Sequence, residues 1–81
     1  MTSTKKWIAR NAGSGPQGNA YFMLKERAIG HAQRALLSGE KKVVHIARFS
    51  ETKYKRGDVD WYVDVETWGL VDGVPKRVRR S

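Results

Sequence analysis

The feature that most constrains the fold is a strand, turn and strand pattern in the last third of the chain. Residues 59–71 alternate between apolar and polar side chains, as strands with one buried face do. The next pair, Asp72-Gly73, is typical of a two-residue type I′ turn. Residues 74–79 then return as a second strand, in which Pro75 suits an edge because its missing N–H can face solvent. This pattern predicts an antiparallel hairpin.

The register of this hairpin follows from counting outward from the turn. It places Trp68 opposite Arg77 and Glu66 opposite Arg79, on the side of the sheet that faces solvent. A bulge at Gly69 would shift the register by one residue. On the opposite side, the residues expected to meet a helix are Val59, Trp61, Val63 and Val65.

A helix is predicted over residues 26–38. Its apolar residues follow the spacing of one buried stripe, formed by Ala28, Ala32, Ala35 and Leu36. Gly39 suits the position just beyond the helix, where a left-handed backbone is common. The preceding residues 20–24 are assigned to a strand, although Asn19 as an N-cap would allow the helix to begin at Ala20 instead.

The remaining segments complete one small α+β domain over residues 1–81. Residues 6–10 and 42–50 read as strands, residues 11–19 as a Gly-rich loop, and residues 53–58 as a connecting loop. The resulting order is β-β-α-β-β-β. It predicts an antiparallel sheet of four to five strands with one helix packed on one face.

The composition excludes several classes of site and location. Cysteine is absent, so neither disulfides nor thiolate metal sites can form. The two histidines have no acidic cluster beside them, and we expect neither a metal nor another cofactor. No apolar run approaches the roughly 20 residues of a membrane span, and no apolar segment follows the N-terminal lysines as in a signal peptide. We therefore expect a cytoplasmic protein without a membrane partner.

A surplus of positive charge is the main functional signal. The chain has 16 Lys and Arg against 8 Asp and Glu, a formal net charge of +8. Residues 1–49 carry nine cations and two carboxylates, residues 50–74 three cations and six carboxylates, and residues 75–81 four cations alone. Such a charge attracts anions over a distance. It predicts a polyanionic or acidic partner.

Three segments are the candidates for binding that partner. The first combines cations with one aromatic ring, because cations hold phosphates and a ring can stack on a base. The second is the densest basic stretch, where the arginine fork suits phosphate or carboxylate. The third is the N-terminal lysine pair. In this order the residues are Lys53, Tyr54, Lys55 and Arg56; Lys76, Arg77, Arg79 and Arg80; and Lys5 and Lys6.

Two binding functions remain open. The chain engages nucleic acid mainly through phosphates, or it engages an acidic protein surface with Tyr62 and Trp68 as exposed aromatic anchors. We expect a monomer or a weak homodimer, since the edge strand is able to pair with a copy of itself.

The helix stripe and the strands over residues 43–49 and 59–71 resemble, in architecture, small phage-encoded accessory proteins of the anti-CRISPR kind. This resemblance implies a stoichiometric inhibitor in the host cytoplasm. The inhibitor would cover an acidic surface of a nucleic-acid-handling complex or bind the nucleic acid of that complex.

A small basic ribonuclease toxin is the enzymatic alternative. Its base would be a histidine, its transition-state stabiliser an arginine and its helper a tyrosine. The candidates for these roles are His45 or His31, Arg48 or Arg56, and Tyr54 or Tyr62. Such toxins place helices before the sheet, and the sequence predicts none there. We therefore expect a binding protein and no enzyme.

Overall fold

The computed structural model describes residues 6–10 and 20–80, with side chains up to residue 78. Within these residues the chain forms one antiparallel sheet of five strands in the order β2-β1-β3-β4-β5, together with two helices. The predicted α+β class is confirmed. The elements are β1 (Trp7–Arg10), β2 (Ala20–Phe22), α1 (Lys25–Ser38), β3 (Val43–Phe49), α2 (Glu51–Arg56), β4 (Tyr62–Val71) and β5 (Val74–Arg80).

Helix α1 follows the predicted stripe. Its buried residues are Ala28, Ala32, Ala35 and Leu36. Gly39 ends the helix in the left-handed region at φ 82°, and its N–H donates to the Leu36 carbonyl. The helix begins at Lys25 without a side-chain cap, and Ala20–Phe22 is a strand as predicted.

The main core lies between α1 and one face of the sheet. Two strands contribute fully or almost fully buried residues, Ala9 from β1 and Val44 and Ile46 from β3, and partly buried residues of β2 and β4 pack against them. Small alanines on α1 let the helix axis approach the strands closely, so Leu36 fills the remaining space. We call this side of the sheet the α1 side.

The opposite face of the sheet carries a smaller cluster. Ile8, Ala47 and Tyr62 are buried there, and Phe49 packs against them. Within the described residues α2, which has no buried residue of its own, is the only helix whose side chains join this cluster. We call this face the open face.

A bulge in β4 changes which residues reach each side. Ile46 pairs with Glu66 and Ala47 with Asp64, which leaves Val65 as the extra residue. One inserted residue reverses the side on which every later side chain points. Glu66 and Trp68 therefore lie on the α1 side. The prediction that they face solvent was wrong.

The residues before this bulge also depart from the prediction. Strand β4 begins at Tyr62, so Val59 precedes the strand and is fully exposed. Trp61 packs on Tyr54, away from α1, and Val63 is 46% exposed. The expectation that these three side chains pack beneath the helix was therefore wrong.

The hairpin of β4 and β5 has the predicted turn. Asp72 and Gly73 have φ of 53° and 78°, and a type I′ turn needs both values positive. Trp68 pairs with Arg77 as predicted. A register shift between Thr67 and Trp68 then pairs Glu66 with residue 80, so the predicted pairing of Glu66 with residue 79 was wrong.

The predicted loop over residues 53–58 is mostly the short helix α2. The Ser50 hydroxyl accepts a hydrogen bond from the Lys53 N–H at 3.3 Å and caps the helix start. Gly57 ends the helix with φ 84°. The sequence signals for both ends were present in the cap residue and the terminal glycine.

Candidate nucleic-acid interface

The three cations of α2 are already paired with carboxylates. Lys53 lies 3.7 Å from Asp60 and also donates to the Tyr62 carbonyl at 3.0 Å. The other two cations form exposed pairs, Lys55 with Glu51 and Arg56 with Asp58. A phosphate would therefore have to compete with the present partner of each cation.

The carboxylates of this region are held in the charged form. The Arg56 hydrogen bond holds the pKa of Asp58 below its ordinary value. Partial burial opposes ionisation of Asp60, but hydrogen bonds from the Tyr62 N–H and from Arg10 outweigh it, and the pKa of Asp60 is also lowered. At neutral pH Asp58 and Asp60 therefore stay ionised.

Strand β5 has two cations whose side chains the structure describes, Lys76 and Arg77, and one of them is paired with a carboxylate. The Arg77 guanidinium lies 3.3 Å from Glu66. Lys76 is exposed and makes no ion pair with the described residues. The side chains of Arg79 and Arg80 lie outside the described part of the chain, as does Lys5. Lys6 is exposed beside β1.

The two predicted aromatic anchors are not the exposed ones. Tyr62 is 8% exposed, and Trp68 packs against the main core and donates its indole N–H to Glu66 at 3.2 Å. Among the described residues, the aromatic side chains that are at least 40% exposed are Tyr21, Tyr54 and Trp61.

Glu66 is the centre of a charge network under α1. Its side chain is 7% exposed and accepts from Lys25 at 2.8 Å as well as from Arg77 and the Trp68 indole. Lys25 also lies 5.6 Å from the centre of the Trp7 ring. Burial would raise the pKa of Glu66, but these hydrogen bonds outweigh it and lower the pKa. This network fixes the start of α1 to β4 and β5.

A second group of cations has no carboxylate partner within the described residues. Arg27 and Arg34 are exposed and seven positions apart on α1, so two helical turns, about 10.5 Å, separate them. Arg48 pairs with Trp7 and Val63 in the sheet, on the α1 side. Lys42 lies in the connection from α1 to β3. We call these four residues the α1 basic surface.

Sequence reasoning missed this surface because it ranked cations by their density along the chain. The α1 cations are isolated in sequence. They stand out as candidate phosphate ligands only after the cations that form ion pairs are excluded. The signal that could have found them is helical phase. Arg27 and Arg34 fall on the side of α1 opposite the alanine stripe.

The residues considered for catalysis do not form one constellation. His45 lies on the open face, where its Nδ1 is 2.9 Å from the Thr67 hydroxyl. Arg48 lies on the α1 side, and Arg56 is held by Asp58. His31 stacks near Phe22, with ring centres 5.5 Å apart. In the described ranges no three His, Asp or Glu residues are grouped to hold a metal.

Comparison of the chain with protein-family models, with curated proteins and with solved structures gives no significant match. In residues 6–10 and 20–80, neither helix has the length and apolar content that crossing a membrane requires.

Proposed function

We propose that this protein binds nucleic acid through the phosphate backbone, using the α1 basic surface. The observation that carries the proposal is the division of its cations. Those around α2 are matched by carboxylates, whereas Arg27, Arg34, Lys42 and Arg48 have no such partner in the described residues. An unpaired exposed cation attracts phosphate without first breaking an ion pair.

The position of the aromatic rings favours a duplex as the ligand. Binding to single strands relies on aromatic side chains on which unpaired bases stack. The exposed rings belong to Tyr21, on the open face, and to Tyr54 and Trp61 near α2. The aromatic residues on the α1 side are partly buried against the core. The α1 basic surface therefore offers charge without stacking, which suits the backbone of a double helix.

The proposed contact has a defined salt dependence. Four neutralised phosphates give a slope of about −3.6 in a plot of log affinity against log salt for a duplex. Affinity should then fall about 150-fold between about 50 and about 200 mM salt.

Fluorescence anisotropy with a labelled duplex of about 20 base pairs and its separated strands tests this proposal. We expect the duplex to bind more tightly than either strand, with the slope given above. Absence of binding at about 50 mM salt would remove the proposal. Tighter binding of the single strand would contradict the preference for a duplex.

The alternative function is inhibition of a host complex by contact with an acidic protein surface. The cations assigned to that contact were Lys53, Lys55 and Arg56, and each has a carboxylate neighbour of its own. The neighbouring carboxylates weaken the attraction of these cations for an acidic partner. We therefore rank nucleic-acid binding first.

A further inference from the structure

A continuous chain of aromatic rings runs from the open face of the sheet to α2. Tyr21 contacts Tyr62 with ring centres 6.1 Å apart, Tyr62 contacts Phe49 at 5.9 Å, and Phe49 contacts Tyr54 at 5.9 Å. Tyr54 then meets Trp61 edge-on at 4.8 Å. The inner rings are covered, whereas Tyr21, Tyr54 and Trp61 are 42%, 50% and 40% exposed. We call these three residues the aromatic surface.

The three rings of the aromatic surface are only partly covered by the domain itself, since each is at least 40% exposed. Tyrosine and tryptophan at such exposure are the residues that dominate binding energy at protein interfaces. Their neighbours restrain them, since each exposed ring contacts another ring of the chain. Little conformational entropy would be lost when a partner covers them.

The charges beside the aromatic surface are balanced. The exposed rim of α2 and the loop after it carries two cations and two carboxylates, which are Lys55, Arg56, Glu51 and Asp58. Arg10 and Lys53 are likewise balanced by Asp60 and Asp64. A strongly acidic or strongly basic partner would find no net attraction here.

A balanced rim is complementary to itself. In a twofold contact each residue meets the same patch on the partner, so every rim cation is able to face a carboxylate of the other copy. The unpaired cations Arg27 and Arg34 lie on α1, across the sheet from the open face. Two copies with apposed aromatic surfaces would therefore keep Arg27 and Arg34 of one copy far from those of the other.

We propose that the aromatic surface is the contact between two copies of this chain, which form a twofold dimer through Tyr21, Tyr54 and Trp61. The occupant is a second copy because the surface combines exposed anchors with a charge rim that matches its own pattern. Nucleic acid fits this surface poorly, since the cations beside it are offset by an equal number of carboxylates, which are Glu51, Asp58, Asp60 and Asp64.

Sedimentation equilibrium of the full chain without nucleic acid tests the proposal. We expect the average mass to rise from 9.2 kDa towards twice that value as the protein concentration increases. The concentrations should run from about 10 to about 300 µM, which covers weak dissociation constants. Because no nucleic acid is present, failure of the phosphate-binding proposal would not affect this result.

Two variants locate the contact. Trp61→Ser and Tyr54→Ser should each raise the dimer dissociation constant at least about tenfold. Leu37→Ser is the matched control, because Leu37 is 63% exposed on α1 and lies outside the aromatic surface. Circular dichroism on all three variants verifies that the fold is kept.

The proposal is overturned if the wild-type chain stays at 9.2 kDa over the whole concentration range. It is also overturned if Leu37→Ser weakens the dimer as much as Trp61→Ser while Trp61→Ser stays folded. In that case the copies would associate through another surface.

Discussion

Helices α1 and α2 carry three cations each, and these cations differ in whether a carboxylate lies beside them. Residues 25–42, which contain α1, have five cations and two carboxylates, whereas residues 50–64, which contain α2, have three cations and four carboxylates. Around α2 every cation lies within 4.0 Å of a carboxylate. On α1, Arg27 and Arg34 have no such neighbour among the described residues. The comparison teaches that local charge density does not measure the charge available to a ligand.

The two helices also differ in their role in stability. Helix α1 covers the main core through its alanine stripe, and Leu36 is fully buried beneath it. Helix α2 has no buried residue and is defined by its caps and ion pairs. We therefore expect the free energy of unfolding to respond strongly to changes in the inner side of α1 and weakly to changes in α2.

The largest effect is expected from two neighbouring leucines on α1. Leu36→Ala should lower the free energy of unfolding by about 3 kcal/mol, because it removes a fully buried side chain and leaves a cavity. Leu37→Ala should change it by less than about 0.5 kcal/mol, since Leu37 is 63% exposed. Urea denaturation measures both. Equal losses would contradict the assignment of the two sides of α1.

A smaller effect is expected at the buried charge network. Glu66→Gln should cost about 1 to 2 kcal/mol, because Lys25 and Arg77 lose their shared carboxylate but remain partly exposed to water. Glu51→Gln is the matched control on α2, where the pair with Lys55 is exposed, and it should cost less than about 0.5 kcal/mol. If urea denaturation gives the same loss for both variants, Glu66 does not anchor α1.

The acid dependence of stability should be the smallest of the three effects. The pKa values of Asp58, Asp60 and Glu66 are lowered in the folded chain from ordinary values of 3.8 and 4.5. A lowered pKa adds stability above the unfolded value, and that stability is lost as pH falls through the folded value. Unfolding midpoints should therefore be level near neutral pH and fall below about pH 4.5. In Glu66→Gln this fall should be shallower, and an unchanged profile would contradict the role of Glu66.

The parts of the fold that local signals determine were predictable. The alanine stripe and Gly39 specified α1, and Asp72-Gly73 specified the hairpin turn. The bulge at Val65 was not predictable, because it depends on how β4 packs against β3 and leaves no mark in the alternation itself. Helix α2 was missed because its six residues are too few to show a period.

The sequence predicted the positive charge of the candidate site but not its position in the fold. Which cations are unpaired depends on contacts between distant residues. Arg10, for example, is neutralised by Asp60 and Asp64, which lie 50 and 54 positions away in sequence. The cluster at Lys53, Lys55 and Arg56 was one of the three segments predicted to bind the partner, yet folding places a carboxylate beside each cation. Charge density along a chain therefore does not locate a binding site.

The most direct test of the account compares two double variants that remove the same number of cations. Arg27→Gln with Arg34→Gln removes unpaired charge from α1, and Lys55→Gln with Arg56→Gln removes paired charge from α2. For duplex binding followed by anisotropy, the α1 double variant should reduce the salt slope by about 1.8 and weaken binding. The α2 double variant should leave both unchanged. Equal losses of affinity in the two variants would show that binding follows net charge alone. That result would contradict the proposal that the α1 basic surface binds the duplex.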